Sequence, residues 1–190
     1  MRVSYKAFAM IATLGGGVLL SAGCASTAKS EHHGAITTEK LEPYECGTIA
    51  RLNTYQGVFL ASRPAASDLE QAKKGGVKTV VNMMHADEQA GFDEGAFVRG
   101  LGLAYENPAW NGDAELTDAM IERNLDLLRN AERPMLVHCS SANRVGAIWY
   151  AYRALDGGLS DADALAEAKV VGLKSPNYEQ IVRDYIARHK

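Results

Sequence analysis

Residues 134–146 read PMLVHCSSANRVG, and this stretch decides the fold. The apolar run Met135-Leu136-Val137, bounded by Pro134 and His138, has the length and bounds of a short buried strand. From Arg144 to Leu155, Ile148, Trp149, Tyr152 and Leu155 recur at helical spacing, which predicts a helix with that stripe on the core. Between strand and helix lies a loop of small polar residues, with Cys139 at one end and Arg144 at the other. A strand, a tight loop and a helix N-terminus together form an anion cradle. Backbone N–H groups converge there, and the helix dipole adds about half a positive charge. A thiol at the start of such a loop is expected to ionise readily and to act as a thiolate nucleophile. Arg144 supplies a forked, permanently charged donor suited to phosphate or sulfate oxygens.

HCSSANRVG resembles the active-site loop of the cysteine-dependent protein tyrosine phosphatase superfamily, His-Cys-x5-Arg. It is more closely similar to the bacterial dual-specificity-like branch, related to the beta-lactamase-hydrolase-like phosphatases, whose loops read Cys-x4-Arg. Arg144 follows Cys139 by five positions, which is the shorter spacing. Rhodanese sulfurtransferases also use a short loop, to hold a persulfide. Sulfurtransfer is therefore an alternative reading, and a non-catalytic oxyanion-binding lipoprotein is a third. Ala142 stands where both families usually have glycine, and Val145 where the phosphatases usually have a Ser or Thr hydroxyl.

The phosphatase resemblance implies a set of roles. Cys139 attacks phosphorus to form a thiophosphate. The N–H groups of Ser140, Ser141, Ala142, Asn143, Arg144 and Val145, with the Arg144 guanidinium, bind the phosphoryl oxygens. His138 orients the cysteine from the preceding strand and helps to keep its pKa low. Asp113, 26 residues before Cys139, is the candidate general acid for the leaving group. The substrate implied is a phosphorylated protein, phosphotyrosine or dual-specificity in type, or a small phosphoester. No metal or other cofactor is called for.

Composition is consistent with this and excludes other classes. At 190 residues, 47% apolar and 23% charged, the chain suits one domain with a full core. A formal charge of −3 offers no basic footprint, which argues against a nucleic-acid partner. Three cysteines are too few for a disulfide framework. Cys46 is expected to be a free, partly buried thiol, the alternative being a redox pair with Cys139.

The N-terminus reads as an export signal. Met1 to Lys6 carries Arg2 and Lys6 and no acid; Ala7 to Leu20 is an uncharged apolar run, too short for a stable membrane span. Leu20-Ser21-Ala22-Gly23-Cys24 resembles a bacterial lipoprotein signal, with Cys24 lipidated and becoming the mature N-terminus. By the same resemblance, Ala25 in place of Asp favours the outer membrane. Removing residues 1–23 takes away Arg2 and Lys6 and no acids, so −3 becomes −5, which suits a periplasmic domain. Residues 24–43 read as a flexible tether, and the pair His32-His33 in it as solvated linker.

From residue 44 to 190 the chain reads as one domain. Strands are expected at Gly57–Ala61, Val77–Asn82, Leu103–Tyr105 and Pro134–Val137. Helices are expected after a Ser67/Glu70 capping box, over Glu94–Leu101, after Thr117, after the Cys139 loop, after Ser160 with Asp163, and after Ser175-Pro176. LASRPAASDLEQAKKGGVKTVVNM resembles the opening strand–helix–strand of the dual-specificity-like phosphatases. Glu88, in the charged loop His85–Gly91, resembles a family acid, and equally reads as a solvated carboxylate. Strands that alternate with helices, followed by helices alone, predict an α/β three-layer fold. Its mostly parallel sheet is flanked by helices in the manner of the cysteine phosphatases.

Overall fold

The computed structural model describes residues 38–89 and 91–190. The signal segment 1–23, Cys24, the His32-His33 pair and the tether up to residue 37 lie outside the described residues. Six strands form one sheet: β1 (Glu42–Pro43), β2 (Leu52–Tyr55), β3 (Val58–Ala61), β4 (Thr79–Asn82), β5 (Ala104–Glu106) and β6 (Met135–His138). Their order is β1-β2-β3-β6-β4-β5. β3, β6, β4 and β5 run parallel, and β1 and β2 complete one edge in antiparallel pairing. The expected mostly parallel α/β architecture is the one observed.

Alternation along the strands sorts the core into two faces. Val58, Leu60, Val81, Met135 and Val137 point to one face, beneath α3 (Asp118–Asn130), α4 (Asn143–Leu155), α5 (Asp161–Val171) and α6 (Pro176–His189). Phe59, Ala61, Val80 and Leu136 point to the other, beneath α1 (Ala66–Lys74) and α2 (Glu94–Gly100). The central strand β6 is buried on both faces. That is why MLVH reads as an unbroken run rather than an alternating one.

Several boundaries differ from the sequence reading. Residues 38–43 are not tether: Glu42–Pro43 pairs with Thr54 and Asn53, and the Thr38 hydroxyl donates to the Thr54 carbonyl. β2, unforeseen, joins β3 through Gln56 and Gly57, both at positive φ (46° and 77°), as a two-residue hairpin turn requires. Helix α1 begins two residues early. Ala65 takes the N-cap position, and the buried Asp68 carboxylate reaches back to its N–H at 2.8 Å, so Ser67 caps nothing. Asp68 also accepts from the Thr48 N–H and hydroxyl, both at 2.8 Å. Helix α4 is not one-sided: Arg144 to Ala151 are all buried, while Tyr152 and Leu155 are only partly so. With α5 and α6 packed against α4 as well as the sheet, the expected apolar stripe becomes a nearly fully enclosed helix.

The caps read from the sequence at Thr117, Ser160 and Ser175 are in place; each hydroxyl accepts from the N–H three residues on. Cys46 is buried and disulfide-bonded, which corrects the expectation of a free thiol. Its partner is not Cys139, which is free and buried, so the redox gate between these two cysteines is not made.

Candidate active site

Four connections leave the C-terminal ends of the parallel strands and meet at one end of the sheet: Ser62-Arg63 after β3, Met83 to Glu88 after β4, Asn107 to Leu116 after β5, and the loop from Cys139 after β6. The strand order places β6 between β3 and β4, so the Cys139 loop is at the centre of this edge. In an open α/β sheet this is where ligands bind.

The loop's peptide planes are set from outside. The carbonyl of His138 accepts from the Met83 N–H (3.0 Å), that of Ser140 from the Arg63 N–H (3.3 Å), and that of Ala142 from the Gly146 N–H (2.8 Å). In a planar trans peptide the next residue's N–H points opposite to the carbonyl. The N–H groups of Cys139, Ser141 and Asn143 are thereby turned away from those partners. The left-handed backbone at Ala142 (φ 66°, ψ 5°) makes the final bend into helix α4. Glycine is the usual residue for such a bend, and alanine adopts it at a cost of about 1–2 kcal/mol. The Ala142 methyl is accommodated because Gly172 faces it: a Cβ on Gly172 would lie 3.0 Å from the Ala142 Cβ. Asn143 braces the loop further, its side-chain oxygen accepting from the N–H groups of Lys174 (2.8 Å) and Ser175 (3.1 Å). Val145 is buried in the first turn of α4, and Ser140 and Ser141 are exposed at the mouth.

Arg144 is the hub of the site. Its guanidinium grips Glu88 end-on, Nη1 donating to Oε1 at 2.8 Å and Nη2 to Oε2 at 2.6 Å. Nη1 also donates to the carbonyls of Met83 (2.8 Å) and Trp110 (2.6 Å). One side chain thus ties together the loops after β4, β5 and β6. Of its five N–H bonds, the Nε–H and the second Nη2 hydrogen have no oxygen acceptor among the described residues. They lie along one edge of the guanidinium plane, the arrangement that takes two oxygens of one anion. The Cys139 sulfur also interacts with this guanidinium. Burial opposes the charge on Arg144, but Glu88 and Cys139 outweigh it and raise its pKa above the ordinary value. The same hydrogen bond holds the Glu88 carboxyl below the usual range, against a smaller opposing effect of burial. Glu88 is thus paired with Arg144 and is not a freely solvated carboxylate.

His138 lies beneath the loop, fully buried, with Nε2 2.8 Å from Oε1 of the buried Glu94. Its Nδ1 has no partner among the described residues. Glu94 was invisible as a site residue, because an acid in a helix's first turn reads as a dipole partner on an exposed face. Beside this pair the Asn82 amide donates to the Tyr105 hydroxyl at 3.0 Å.

Asp113 stands in the loop after β5, three residues beyond Trp110. It is exposed, and its carboxylate accepts from the Asn177 amide at 2.6 Å. Its loop is fixed to the site: Trp110 packs edge-on against Tyr178, Gly112 N–H donates to the Tyr178 hydroxyl, and Asn107 donates to the carbonyls of Asn82 and Met84. The structure therefore brings Asp113's loop to Arg144, while the Asp113 side chain itself contacts α6 rather than the Cys139 loop. Across the mouth, Glu115 accepts from His85 and from the Asn111 N–H, both at 2.7 Å, which lowers its pKa. Among the described residues no group of three or more His, Cys, Asp or Glu is placed to hold a metal ion.

No protein-family model matches the chain, and no curated protein matches it in sequence. Solved structures do match. A DUF442 protein of Shewanella putrefaciens CN-32 superposes with a TM-score of 0.63 at 20% identity, over 75% of this chain and 95% of that one. Pseudomonas aeruginosa TpbA matches with a TM-score of 0.58 at 22% identity, over 73% of this chain and 84% of that one, and has also been solved in complex with phosphotyrosine. The core catalytic domain of the Saccharomyces cerevisiae PP-IP phosphatase SIW14 matches at 0.58 and 15% identity, over 80% of this chain and 88% of that one. The chain has the cysteine-phosphatase fold. Within that fold the Cys139 loop occupies the central position at the C-terminal end of the parallel strands, with Arg144 opening the helix that follows.

Proposed function

We propose that this protein is a cysteine-dependent phosphatase that hydrolyses phosphate monoesters, phosphotyrosine or a small phosphoester, through a thiophosphate on Cys139. The observation that carries the proposal is the buried Arg144 guanidinium in the first turn of the helix after the Cys139 loop, gripped by Glu88 so that its Nε–H edge stays open for an oxyanion. The Cys139 thiolate attacks phosphorus; the S–P bond forms as the P–O bond to the leaving group breaks. Asp113, as its acid form, gives its proton to the departing oxygen. A water molecule then attacks the thiophosphate, returning a proton to Asp113, the S–P bond breaks, and inorganic phosphate leaves with the thiolate regenerated. Loop N–H groups and the Arg144 edge stabilise the charge on the phosphoryl oxygens in both steps. Glu88 fixes the guanidinium plane and leaves the Nε–H edge free for the phosphoryl oxygens. His138, held by Glu94, orients the nucleophile from the end of the preceding strand. The mature protein is proposed to be periplasmic, anchored through a lipid on Cys24, on the outer membrane.

The decisive experiment measures phosphate release from an aryl phosphate by wild type and by Cys139→Ser. Wild type is expected to turn over and to be inhibited by vanadate. Cys139→Ser is expected to lose turnover, by at least about 10³-fold, while retaining oxyanion binding, since the cradle remains. Undiminished turnover in Cys139→Ser would end the thiolate mechanism. Cys139-dependent thiocyanate formation from thiosulfate and cyanide, without phosphate release, would replace it with sulfurtransfer.

A further inference from the structure

Arg63 is the arginine at this site that the proposed chemistry does not use. It leaves the C-terminal end of β3, next to β6, and both its main chain and its side chain are directed at Ser140, the residue after the nucleophile. Its N–H donates to the Ser140 carbonyl at 3.3 Å, and its Nη2 lies 3.4 Å from the Ser140 hydroxyl. Its backbone is constrained on both sides. Ser62 ahead of it donates to the Arg51 carbonyl at 2.8 Å, and Pro64 behind it confines Arg63 to extended geometry. The side chain is half-buried against the loop.

What Arg63 lacks is a counter-charge. Arg129, Arg144, Arg153, Arg183 and Arg188 each have a carboxylate partner, whereas among the described residues Arg51, Arg99, Arg123 and Arg133 have none. Among the described residues Arg63 has none, its Nε is buried without a hydrogen-bond partner, and its one side-chain contact is the long one to Ser140. A guanidinium is a poor choice for holding a serine hydroxyl, which a neutral amide would do without leaving donors unmet. Burying part of a cation and one of its N–H groups beside an anion cradle is unfavourable unless an anion completes the site. Ser140 is at the exposed mouth of the loop, so the unmet donors stand where the non-reacting part of a substrate would lie.

We propose that Arg63 binds a second oxyanion of the substrate, so that the preferred substrate is a phosphoester bearing another phosphate or a carboxylate close to the scissile phosphoryl group. This rests on the phosphatase reading for catalysis but not for binding, and the two are tested separately. Calorimetric titration with inorganic phosphate and with pyrophosphate, each protein carrying Cys139→Ser so that no thiophosphate can form, reads binding without turnover. Pyrophosphate is expected to bind about tenfold or more tightly, and Arg63→Ala to bring the two affinities within about threefold while leaving that for phosphate nearly unchanged. Arg63→Lys, which keeps the charge and loses the fork, is expected to fall between. Turnover is then compared on phenyl phosphate, 3-carboxyphenyl phosphate, its neutral carbamoyl isostere, and 1,3-phenylene bisphosphate. The kcat/KM advantage of the charged substrates over the neutral pair is expected to disappear in Arg63→Ala; the carboxyl and bisphosphate arms show which oxyanion the site prefers. An absent pyrophosphate preference with Arg63 in place, or one that survives Arg63→Ala, overturns the proposal. So does an equal loss for phosphate and pyrophosphate, which would make Arg63 a brace for the loop. Arg63-dependent pyrophosphate binding without hydrolysis of any ester would leave this inference standing and remove the phosphatase reading.

Discussion

At the scale of single residues, the site is governed by how one arginine divides its donors. Glu88 takes one fork of Arg144 and leaves the Nε–H edge free for an oxyanion. Glu88→Gln keeps one acceptor and loses the charge and the bidentate geometry. It is expected to lower kcat/KM by about 10–10²-fold through misplacement of the guanidinium, with little loss of secondary structure by circular dichroism. The pH dependence follows from the lowered Glu88 pKa. A carboxyl whose folded-state pKa lies below its unfolded one stabilises the fold fully above the unfolded value, about 4.3, and loses that contribution as pH falls through the folded value. The Tm difference between wild type and Glu88→Gln is therefore expected to be constant from pH 7 to about 5 and to shrink below about 4. A difference that persists undiminished at pH 3 would mean the charge is not what holds the pair. Asp113 is tested by leaving-group dependence. Asp113→Asn is expected to lower turnover about 10²-fold for alkyl phosphates and far less for nitrophenyl phosphate, as loss of a general acid does. An equal effect on both would place the acid elsewhere in the loop.

At the scale of elements, the strand–loop–helix unit from Met135 to Leu155 was legible because its pattern is local: an apolar run, a small-residue loop and helical spacing. The caps at Thr117, Ser160 and Ser175 were legible for the same reason. What escaped the sequence was whatever depends on a distant partner. Glu94 reads as an ordinary first-turn acid until β6 brings His138 within 2.8 Å of it. Strand β2 has no apolar alternation to announce it, and its turn uses Gln56 at positive φ where asparagine or glycine would signal a hairpin. The enclosure of α4 depends on α5 and α6, which no reading of α4 alone contains. That enclosure is tight at one point. A Cβ on Gly146 would lie 2.5 Å from the Leu173 nitrogen and 2.8 Å from the Ala168 carbonyl oxygen, both backbone atoms that cannot swing aside. Gly146→Ala is expected to destabilise the protein by about 1–3 kcal/mol, as overpacking does, and to weaken vanadate inhibition, because α4 carries Arg144. Denaturant unfolding measures the first effect; an unchanged midpoint would show that α5 shifts without cost.

At the scale of the whole molecule, the sheet separates Thr38, where the described domain begins, from the site. Thr38, the first described residue, accepts at its carbonyl from the Gln56 N–H in the turn before β3. β3 and β6 are parallel, with Val58 opposite Met135 and Ala61 opposite His138, so Thr38 is at the strand end remote from Cys139, roughly 13 Å of strand away. Among the described residues no helix is long and apolar enough to cross a membrane. The signal proposed at residues 1–23 would attach the protein through a lipid on Cys24. The described domain begins at Thr38 on the side away from the catalytic mouth. An anchored protein in this orientation presents its loop to the soluble phase. In Triton X-114 the mature wild type is expected in the detergent phase and Cys24→Ala in the aqueous phase. On lipid vesicles, the wild type is expected to hydrolyse a soluble aryl phosphate with the same kcat/KM as Cys24→Ala in solution. Of the three cysteines Cys46 is disulfide-bonded and Cys139 is free, so a thioether-linked lipid and a disulfide compete for the Cys24 sulfur, and the mass of the mature N-terminal peptide decides between them. Equal partitioning of the two forms, or a mass showing Cys24 as a free thiol or a disulfide, would remove the anchor. A vesicle-bound enzyme inactive on soluble substrate would instead overturn the orientation, and place the mouth against the membrane.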